Sequence, residues 1–237
     1  MIIAMKNLHK GIGIYMNDNK SAYNAKIYDE HIVNVLPYYT EYSSQVIDLV
    51  RNMEKADLKW LDTGCGTGTL VMRAREVFPE ASFTLCDPSA KMLDEAKEKL
   101  KGENITFNNI SSSELEYDSE FDVLTAIQCH HYYNFEEREE ATRRCFNALR
   151  ESGIYITFEN IRMSTDASDE IALDRWVTFL REHGNSEDEV QMHLNRRGVE
   201  THPITIEQHL DILKKCGFTS VNLLWASYLQ AGFWAIK

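Results

Sequence analysis

A glycine-rich segment that begins with an acidic residue is the part of the sequence best suited to chemistry. The segment Asp62–Gly68 (DTGCGTG) follows a short apolar run and precedes a stretch of helical periodicity. Glycine adopts positive φ without a steric penalty and lets a ligand come close to the backbone. In open α/β sheets, ligands bind at the carboxyl ends of the strands. The pattern therefore predicts a ligand-binding loop between a strand and a helix.

The spacing of these glycines indicates which class of ligand the loop binds. Dinucleotide loops have the pattern G-x-G-x-x-G and accept a pyrophosphate, whereas this loop has G-x-G-x-G preceded by Asp62. A carboxylate would repel a pyrophosphate but attract the sulfonium and ammonium groups of S-adenosylmethionine. The sequence therefore predicts S-adenosylmethionine as the cofactor. The predicted loop contacts are Asp62, Gly64, Cys65, Gly66 and Gly68.

A second group of residues is predicted to bind the adenosine part of this cofactor. Asp87 ends the next apolar run, and a carboxylate there can accept hydrogen bonds from both ribose hydroxyls. Asp87-Pro88 alone would also be an ordinary turn signal. Pro88 is predicted to contact the cofactor beside Asp87. Met92 lies about a turn into the following helical stretch and is expected to contact the adenine.

Two adjacent histidines and a glutamate are the candidate catalytic groups. Methyl transfer needs mainly proximity and orientation, and it needs a general base only when the acceptor loses a proton. His130 and His131 could act as the base, and Glu159 could bind the acceptor. The alternatives are a capping or packing role for the histidines and a solvated loop for Glu159. No metal site is expected, because adjacent histidines on one loop are poor joint ligands and no cysteine or carboxylate cluster accompanies them.

The acceptor pocket is less clearly marked in the sequence. Arg196-Arg197 either bind an anionic substrate or stand on a solvated face. Several tyrosines either line a substrate pocket or pack in the core, namely Tyr28, Tyr38, Tyr39, Tyr132 and Tyr133.

These residues require a fold that brings the ends of neighbouring strands together. From Leu58 onward, apolar runs alternate with stretches of helical periodicity, which is typical of a parallel sheet with helices on both faces. The predicted strands are Leu58–Thr63, Ser82–Cys86, Ile105–Asn108, Phe121–Gln128, Ile154–Phe158, Ser220–Ala226 and Gly232–Ile236. The predicted helices are Thr69–Phe78, Ala90–Leu100, Phe135–Leu149 and Ile206–Cys216.

Two further segments do not follow this alternation. Residues 20–54 are predicted to form an N-terminal helical lid in two pieces broken near Pro37. Residues 161–200 are predicted to form a helical insertion over one end of the sheet, because their apolar stripe needs a partner surface. We therefore expect a single domain over residues 1–237, with residues 1–19 loosely ordered.

Composition restricts the possible partners and compartment. The formal net charge of −12 disfavours broad attraction to nucleic acid or to an anionic membrane. The five cysteines are an odd number without C-x-x-C spacing, and no apolar run is long enough for a membrane span. We expect a cytoplasmic protein, monomeric or homodimeric, that acts on a small molecule.

Several motifs together resemble the class I methyltransferases, nearest the branch that contains carboxy-S-adenosylmethionine synthase. The matching segments are Tyr28–Tyr39, Leu61–Gly68, Asp87–Leu93, Phe121–His131 and His209–Lys237. The resemblance implies a Rossmann-like three-layer sandwich whose seven-stranded, mainly parallel sheet has an antiparallel last strand. It implies that Asp62 and Gly64 lie near the methionine end of the cofactor and Asp87 near the ribose. Gln128 stands at the end of the fourth predicted strand, so its position predicts a place near the transferred methyl group.

The sequence departs from this family in two places. Ser111 stands where many members have an aspartate that contacts the adenine amine, so we expect Ser111 or its serine neighbours to make a weaker contact. Arg196 and Arg197 do not align cleanly with the arginine that the synthase branch uses for a carboxylated cofactor. We therefore predict methyl transfer to a small molecule. A carboxy-S-adenosylmethionine synthase, a tRNA-modification enzyme and a non-catalytic S-adenosylmethionine-binding protein remain the alternatives.

Overall fold

The computed structural model describes residues 18, 20–53, 55–102 and 104–237. The expectation that residues 1–19 are loosely ordered falls, apart from residue 18, outside the described residues.

Seven strands form one sheet in the order β3-β2-β1-β4-β5-β7-β6. All neighbouring pairs from β3 to β5 are parallel, whereas β7 is antiparallel to both β5 and β6. The predicted sandwich with an antiparallel last strand is therefore confirmed. The strands are β1 Lys59–Thr63, β2 Ser82–Cys86, β3 Ile105–Asn108, β4 Phe121–Ile127, β5 Leu149–Asn160, β6 Ser220–Ser227 and β7 Gln230–Ile236.

Eight α-helices occur among the described residues. Their bounds are α1 Ala25–Ile32, α2 Tyr39–Arg51, α3 Thr69–Val77, α4 Ala90–Lys99, α5 Phe135–Ala148, α6 Asp166–Glu182, α7 Glu187–Arg196 and α8 Ile206–Cys216. Two short 3₁₀ helices at Ser112–Glu114 and His130–Tyr132 follow β3 and β4.

Local sequence explains where several of these helices begin and end. The side chain of Ser89 accepts a hydrogen bond from the backbone N–H of Met92 and so caps the N-terminus of α4. Gly217 ends α8 at φ 112, a left-handed conformation in which glycine avoids the penalty of a Cβ atom. Pro37 lies between α1 and α2, so the predicted break in the N-terminal helices is confirmed.

The sheet separates two apolar clusters. Successive residues of a strand point to opposite faces, and accordingly Trp60 and Leu61 of β1 belong to different clusters. The first cluster packs α2 and α3 against one face, with Val46 and Val71 fully buried. The second packs α5 and α8 against the other face. Helices therefore pack on both faces of the sheet.

The N-terminal segment and the insertion contact one another above this edge. The indole N–H of Trp176 in α6 donates to the carbonyl oxygen of Val35 at 2.8 Å, and Asn185 donates to the carbonyl oxygen of Asn34 at 2.9 Å. The hydroxyl of Tyr23 lies 3.2 Å from Nε2 of His193 in α7. Residues 20–36 and 161–200 thus form one continuous cover. None of the helices described is long and apolar enough to cross a membrane.

Candidate cofactor and acceptor site

The glycine-rich loop joins β1 to α3 at the carboxyl edge of the sheet. Gly64 and Gly66 have φ 64 and φ 55, in the left-handed region that disfavours other residues. A Cβ atom at Gly64 would lie 2.4 Å from Cβ of Cys129, so this glycine allows the loop after β4 to approach. A Cβ atom at Gly66 would meet no atom within 4 Å, so the backbone there borders open space. Gly66 therefore offers its backbone to a ligand.

Asp62 is a buried carboxylate with little compensation for its charge. It is 2% exposed, and its Oδ1 accepts a hydrogen bond from the Thr125 hydroxyl at 2.6 Å. Burial raises the pKa of Asp62 to about 7, the Thr125 hydrogen bond opposes the rise, and the charge of Asp87 adds to it. A cationic ligand group beside Asp62 would favour the ionised form.

Asp87 connects the glycine-rich loop to the start of α4. Its Oδ2 accepts the backbone N–H of Gly66 at 2.9 Å, and its Oδ1 accepts that of Ser89 at 2.8 Å. Burial raises the pKa of Asp87, although these two hydrogen bonds oppose the rise. Because a carboxylate has about four acceptor sites, each oxygen keeps acceptor capacity for a ligand hydroxyl.

Three cavities open between the sheet edge and its cover, and we name them by their surroundings. The wide cavity lies between Asp87 and the loop after β4. The loop cavity lies between the glycine-rich loop, α1 and α2. The cover cavity lies beneath the N-terminal segment and the insertion.

Nine of the ten residues predicted to bind the cofactor line the first two cavities. Those in the wide cavity are Gly64, Gly66, Asp87, Pro88, Met92, Ser111 and Gln128. Those in the loop cavity are Asp62, Gly64, Cys65 and Gly66.

Gly68 is the tenth, and it lies outside the lining of both cavities. It precedes α3 at φ 75, and a Cβ atom there would lie 2.7 Å from Cδ1 of Leu100 and 3.2 Å from Cβ of Ala96. Gly68 therefore allows α4 to pack closely against the loop.

Gln128 directly follows β4 and has a strained backbone conformation. Its φ is 56, in the left-handed region, and its backbone N–H donates to the carbonyl oxygen of Phe158 at 2.7 Å. Its side-chain amide donates to Oε1 of Gln230 at 2.8 Å. Strained residues cluster at ligand sites, and Gln128 lines both the wide cavity and the cover cavity.

The 3₁₀ helix after β3 places a carboxylate that sequence reasoning missed. The backbone N–H and hydroxyl of Ser111 both donate to Oε2 of Glu114, at 2.9 and 2.6 Å. Glu114 lines the wide cavity with Ser111 and Ser112. The S-x-x-E spacing of a capping box was the available signal, because it fixes the glutamate beside the serine.

Glu159 holds the loop that carries the two histidines. It is 1% exposed and accepts the backbone N–H groups of His130 and His131 at 3.1 and 2.8 Å. It also accepts from Nδ1 of His131 at 3.0 Å and from the Thr157 hydroxyl at 2.9 Å. Glu159 lines none of the three cavities described above. The structure therefore places it behind the site, in contact with His131.

The two histidines point in different directions. His131 lines the cover cavity. His130 lines a separate buried cavity with Arg138 and His209, and burial lowers its pKa to about 4. Within this separate cavity, His130 Nε2, Arg138 Nη1 and His209 Nε2 have no hydrogen-bond partner. The structure does not bring His130 to the wide, loop or cover cavity.

The cover cavity has a distinctive lining. Arg196 and Arg197 contribute to it, while none of the described residues that line it is an aspartate or glutamate. Arg196 Nε pairs with Glu200 at 2.7 Å, and Arg197 pairs with Asp169 at 3.0 Å. Apolar side chains complete the wall, among them those of Ile32, Val35, Leu36 and Trp176.

The five candidate tyrosines do not all lie at these cavities. Tyr28, Tyr39, Tyr132 and Tyr133 line one or more of the three cavities. Tyr38 is 55% exposed and packs edge-on against Trp225, away from them. No group of three or more histidine, cysteine or acidic side chains in the described ranges could hold a metal ion.

Comparison with known proteins matches this arrangement to one family. Residues 61–153 match the model of a methyltransferase domain. This domain match and the relatives described below support a class I S-adenosylmethionine-dependent methyltransferase. Its cofactor is S-adenosylmethionine.

Its sequence relatives include two carboxy-S-adenosyl-L-methionine synthases. The one from Nautilia profundicola is 24% identical over 216 residues, which cover 90% of this chain and 92% of the relative. The one from Nitratiruptor sp. is 27% identical over 224 residues, which cover 90% of each chain.

Solved structures share the fold. A putative O-methyltransferase from Nostoc punctiforme superposes with a TM-score of 0.63 and 20% identity, covering 90% of this chain and 58% of the other. The CurJ carbon methyltransferase superposes with a TM-score of 0.65 and 14% identity, covering 88% and 57%.

Proposed function

We propose that this methyltransferase transfers the methyl group of S-adenosylmethionine to a small-molecule acceptor held in the cover cavity. The observation that carries the proposal is that the cover cavity adjoins the wide cavity. The two share Ser21, Tyr28, Gln128 and Tyr132 as walls. An acceptor beneath the cover would therefore border the cofactor directly.

Specific residues suit each part of the cofactor. The buried carboxylate of Asp62 suits its ammonium group, and the open backbone at Gly66 suits close approach of the methionine part. Asp87 suits the ribose hydroxyls, and Met92 with Glu114 suits the adenine. When bound, the cofactor supplies a methyl group already activated by a sulfonium. The chain then mainly contributes orientation and exclusion of water.

The lining of the cover cavity supports a small anionic acceptor with an apolar body. The chain carries a net charge of −12, yet two arginines and no described acidic residue line this cavity. Guanidinium groups bind carboxylate and phosphate through paired hydrogen bonds. The apolar wall of Ile32, Val35 and Leu36 suits a hydrocarbon or aromatic body. Residues 20–54 as a lid and 161–200 as an insertion of a single domain fit this proposal.

His131 is the group best placed to take a proton from the acceptor. Burial raises the pKa of Glu159, but hydrogen bonding and charge from His131, with the charges of His130 and Arg138, outweigh burial and lower this pKa to about 2. Because the carboxylate accepts from Nδ1–H of His131, a lone pair is available on Nε2 when the ring carries a single proton. Glu159 is then a positioning residue. An acceptor without a proton to lose would need no such base.

Binding and turnover measurements test the proposal. We expect calorimetry to show micromolar binding of S-adenosylmethionine to the intact protein. We then expect small aromatic and aliphatic carboxylates to be methylated in a mass-spectrometric screen, with bases and neutral alcohols inactive. Absence of cofactor binding would refute the proposal. A screen in which only cationic acceptors react would refute the proposal that the acceptor is anionic, but it would leave the proposal of methyl transfer standing.

A second candidate is formation of a carboxylated cofactor. The relatives that bear this name match nearly the whole chain, and Arg196 stands in the cavity that adjoins the wide cavity. Mass spectrometry of the ligand that copurifies distinguishes the two. A mass equal to S-adenosylmethionine supports methyl transfer, and a mass increased by one carboxyl group supports the second candidate.

The compartment and assembly of the protein are proposed on simpler grounds. All five cysteines are free thiols, which fits a reducing cytoplasm. The protein is proposed to act as a monomer or a homodimer. Size-exclusion chromatography with light scattering would measure the assembly directly.

A further inference from the structure

Tyr28 stands where the three cavities meet. It lies on α1, and it is the one described residue that lines the wide cavity, the loop cavity and the cover cavity together. The loop and cover cavities have no other described residue in common. Any group that borders all three spaces must therefore lie beside Tyr28.

The proposed function gives this junction a chemical meaning, and the following inference rests on it. The methionine end of the cofactor is assigned to Asp62 in the loop cavity, and the adenosine end to Asp87 in the wide cavity. The acceptor is assigned to the cover cavity. The sulfur atom joins the methionine and adenosine parts, and its methyl group must point to the acceptor. The sulfonium methyl is thus the group expected at the junction.

A network of hydrogen bonds fixes α1 above the glycine-rich loop. The residue after Tyr28 is Asp29, whose carboxylate accepts from the hydroxyls of Thr67 and Thr69 at 2.7 and 3.1 Å and from Nζ of Lys99 at 2.6 Å. Beyond the C-terminal end of α1, the carbonyl oxygen of Val35 accepts a hydrogen bond from the indole N–H of Trp176. Tyr28 is therefore fixed relative to both the loop and the insertion.

The side chain of Tyr28 has the right chemistry for a sulfonium. Burial, with the phenol of Tyr39 nearby, raises the pKa of Tyr28 well above its usual range, so the side chain stays neutral. A tyrosine ring attracts a cation placed over its face. Its oxygen can also accept a weak C–H···O contact from the polarised methyl group.

We propose that Tyr28 contacts the sulfonium methyl group and makes the site prefer S-adenosylmethionine over S-adenosylhomocysteine. The demethylated product has a neutral sulfur and lacks the methyl group, so it forfeits both contacts. A preference of this kind would also help the product to leave after transfer. Tyr28 is thus a specificity residue for the state of the cofactor.

The test compares the Kd values of the two ligands. The two ligands differ only in the sulfonium and its methyl group, so the ratio of these Kd values measures the contribution of that group. We expect Tyr28→Leu to raise the Kd for S-adenosylmethionine about tenfold more than the Kd for S-adenosylhomocysteine. Tyr28→Phe keeps the ring and loses the oxygen, so we expect about a threefold change in the same ratio. Calorimetry on the full-length protein measures all four constants.

Tyr133→Phe is the matched control, because Tyr133 lines the wide cavity alone among the three. It should change both constants by the same factor. An unchanged ratio in Tyr28→Leu overturns the inference, as does an equal ratio change in Tyr133→Phe. Should Tyr28→Leu fail to fold by circular dichroism, an unchanged ratio in Tyr28→Phe overturns it. If the unmodified protein binds neither ligand, the proposed function itself fails, and the inference fails with it.

Discussion

The carboxylate of Glu159 accepts a hydrogen bond from Nδ1 of His131 at 3.0 Å, with both side chains almost fully buried. The same carboxylate accepts two backbone N–H groups of the 130–131 loop and the Thr157 hydroxyl. Every one of these partners donates. A side chain that is not a pure acceptor therefore cannot replace Glu159 without loss of these hydrogen bonds.

Glu159→Gln is therefore expected to lower the free energy of unfolding by roughly 2–4 kcal/mol, because an amide N–H would face a buried donor. Urea denaturation measures the change. Glu151→Gln is the control, since Glu151 lies exposed in the first part of β5, and its free energy of unfolding should stay within about 0.5 kcal/mol of the unmodified protein. An equal effect of both substitutions would contradict the structural role of Glu159.

The same carboxylate gives stability a defined dependence on acid. The pKa of Glu159 is about 2 in the folded protein and near 4.3, the usual value, when unfolded. Its stabilising contribution is complete above about pH 4.3 and is lost as the pH falls toward 2. We expect the unmodified protein to lose stability over this window more steeply than Glu159→Gln. Parallel slopes in urea titrations would count against the assignment.

The raised pKa of Asp62 predicts that cofactor binding depends on pH. Burial raises this pKa to about 7. Below pH 7 the carboxyl group of the folded protein without ligand is therefore mainly protonated, and it ionises as the pH rises through 7. Only the ionised form attracts the cofactor ammonium. Affinity should therefore rise between pH 5.5 and 7, by up to about tenfold per pH unit.

Calorimetry at several pH values checks this expectation against Asp62→Asn. The asparagine oxygen can still accept from Thr125, which donates to Asp62 at 2.6 Å. We expect weaker binding with a flat pH dependence in this variant. Binding to the unmodified protein that is constant over the same range would show that Asp62 is already ionised or lies away from the ammonium.

Gly66 and Gly68 separate ligand binding from packing. A Cβ atom at Gly66 enters open space, whereas one at Gly68 meets Leu100 at 2.7 Å. Both glycines have positive φ, so alanine at either position costs about 1–2 kcal/mol of backbone strain. Gly68→Ala adds overpacking of about 1–3 kcal/mol.

We therefore expect opposite patterns in the two variants. Gly66→Ala should raise the cofactor Kd by at least about thirtyfold, because the methyl group fills space meant for the ligand. Gly68→Ala should lose more stability in thermal unfolding but change the Kd by less than about threefold. The reverse pattern would show that the cofactor lies against Gly68.

Much of the fold follows from local patterns in the sequence. The strand Ser82–Cys86 and the helix Ile206–Cys216 have the predicted bounds, because an apolar run or a capping residue marks each end. The strand predicted at Ile154–Phe158 is longer in the structure, starting at Leu149. Because residues 150–153 are polar, the sequence did not predict the first part of this strand. In that part β5 lies at the rim of the sheet and pairs irregularly with β4.

Site residues at the ends of predicted strands could be placed from the sequence. Site residues whose position depends on contacts between distant segments could not. Asp62, Gly66 and Asp87 line the predicted cavities because strand ends fix them. The opposite orientations of His130 and His131 depend on Glu159, which lies 28 positions from His131 in the sequence. The approach of Asp29 to Lys99 spans 70 positions, and no local pattern encodes it. Such contacts arise only from packing of the cover against the sheet.

Arg196 provides the sharpest test of the acceptor class. Its Nε pairs with Glu200, another of its N–H groups donates to the carbonyl oxygen of Lys20, and its side chain borders the cover cavity. Arg196→Gln keeps polar contacts and removes the charge. We expect KM for an anionic acceptor to rise about tenfold or more, with kcat and the cofactor Kd little changed. Arg181→Gln is the control, because Arg181 pairs with Glu187 on the exposed surface. An unchanged KM in Arg196→Gln, or an equal rise in both variants, would show that the acceptor is not recognised by its negative charge at this position.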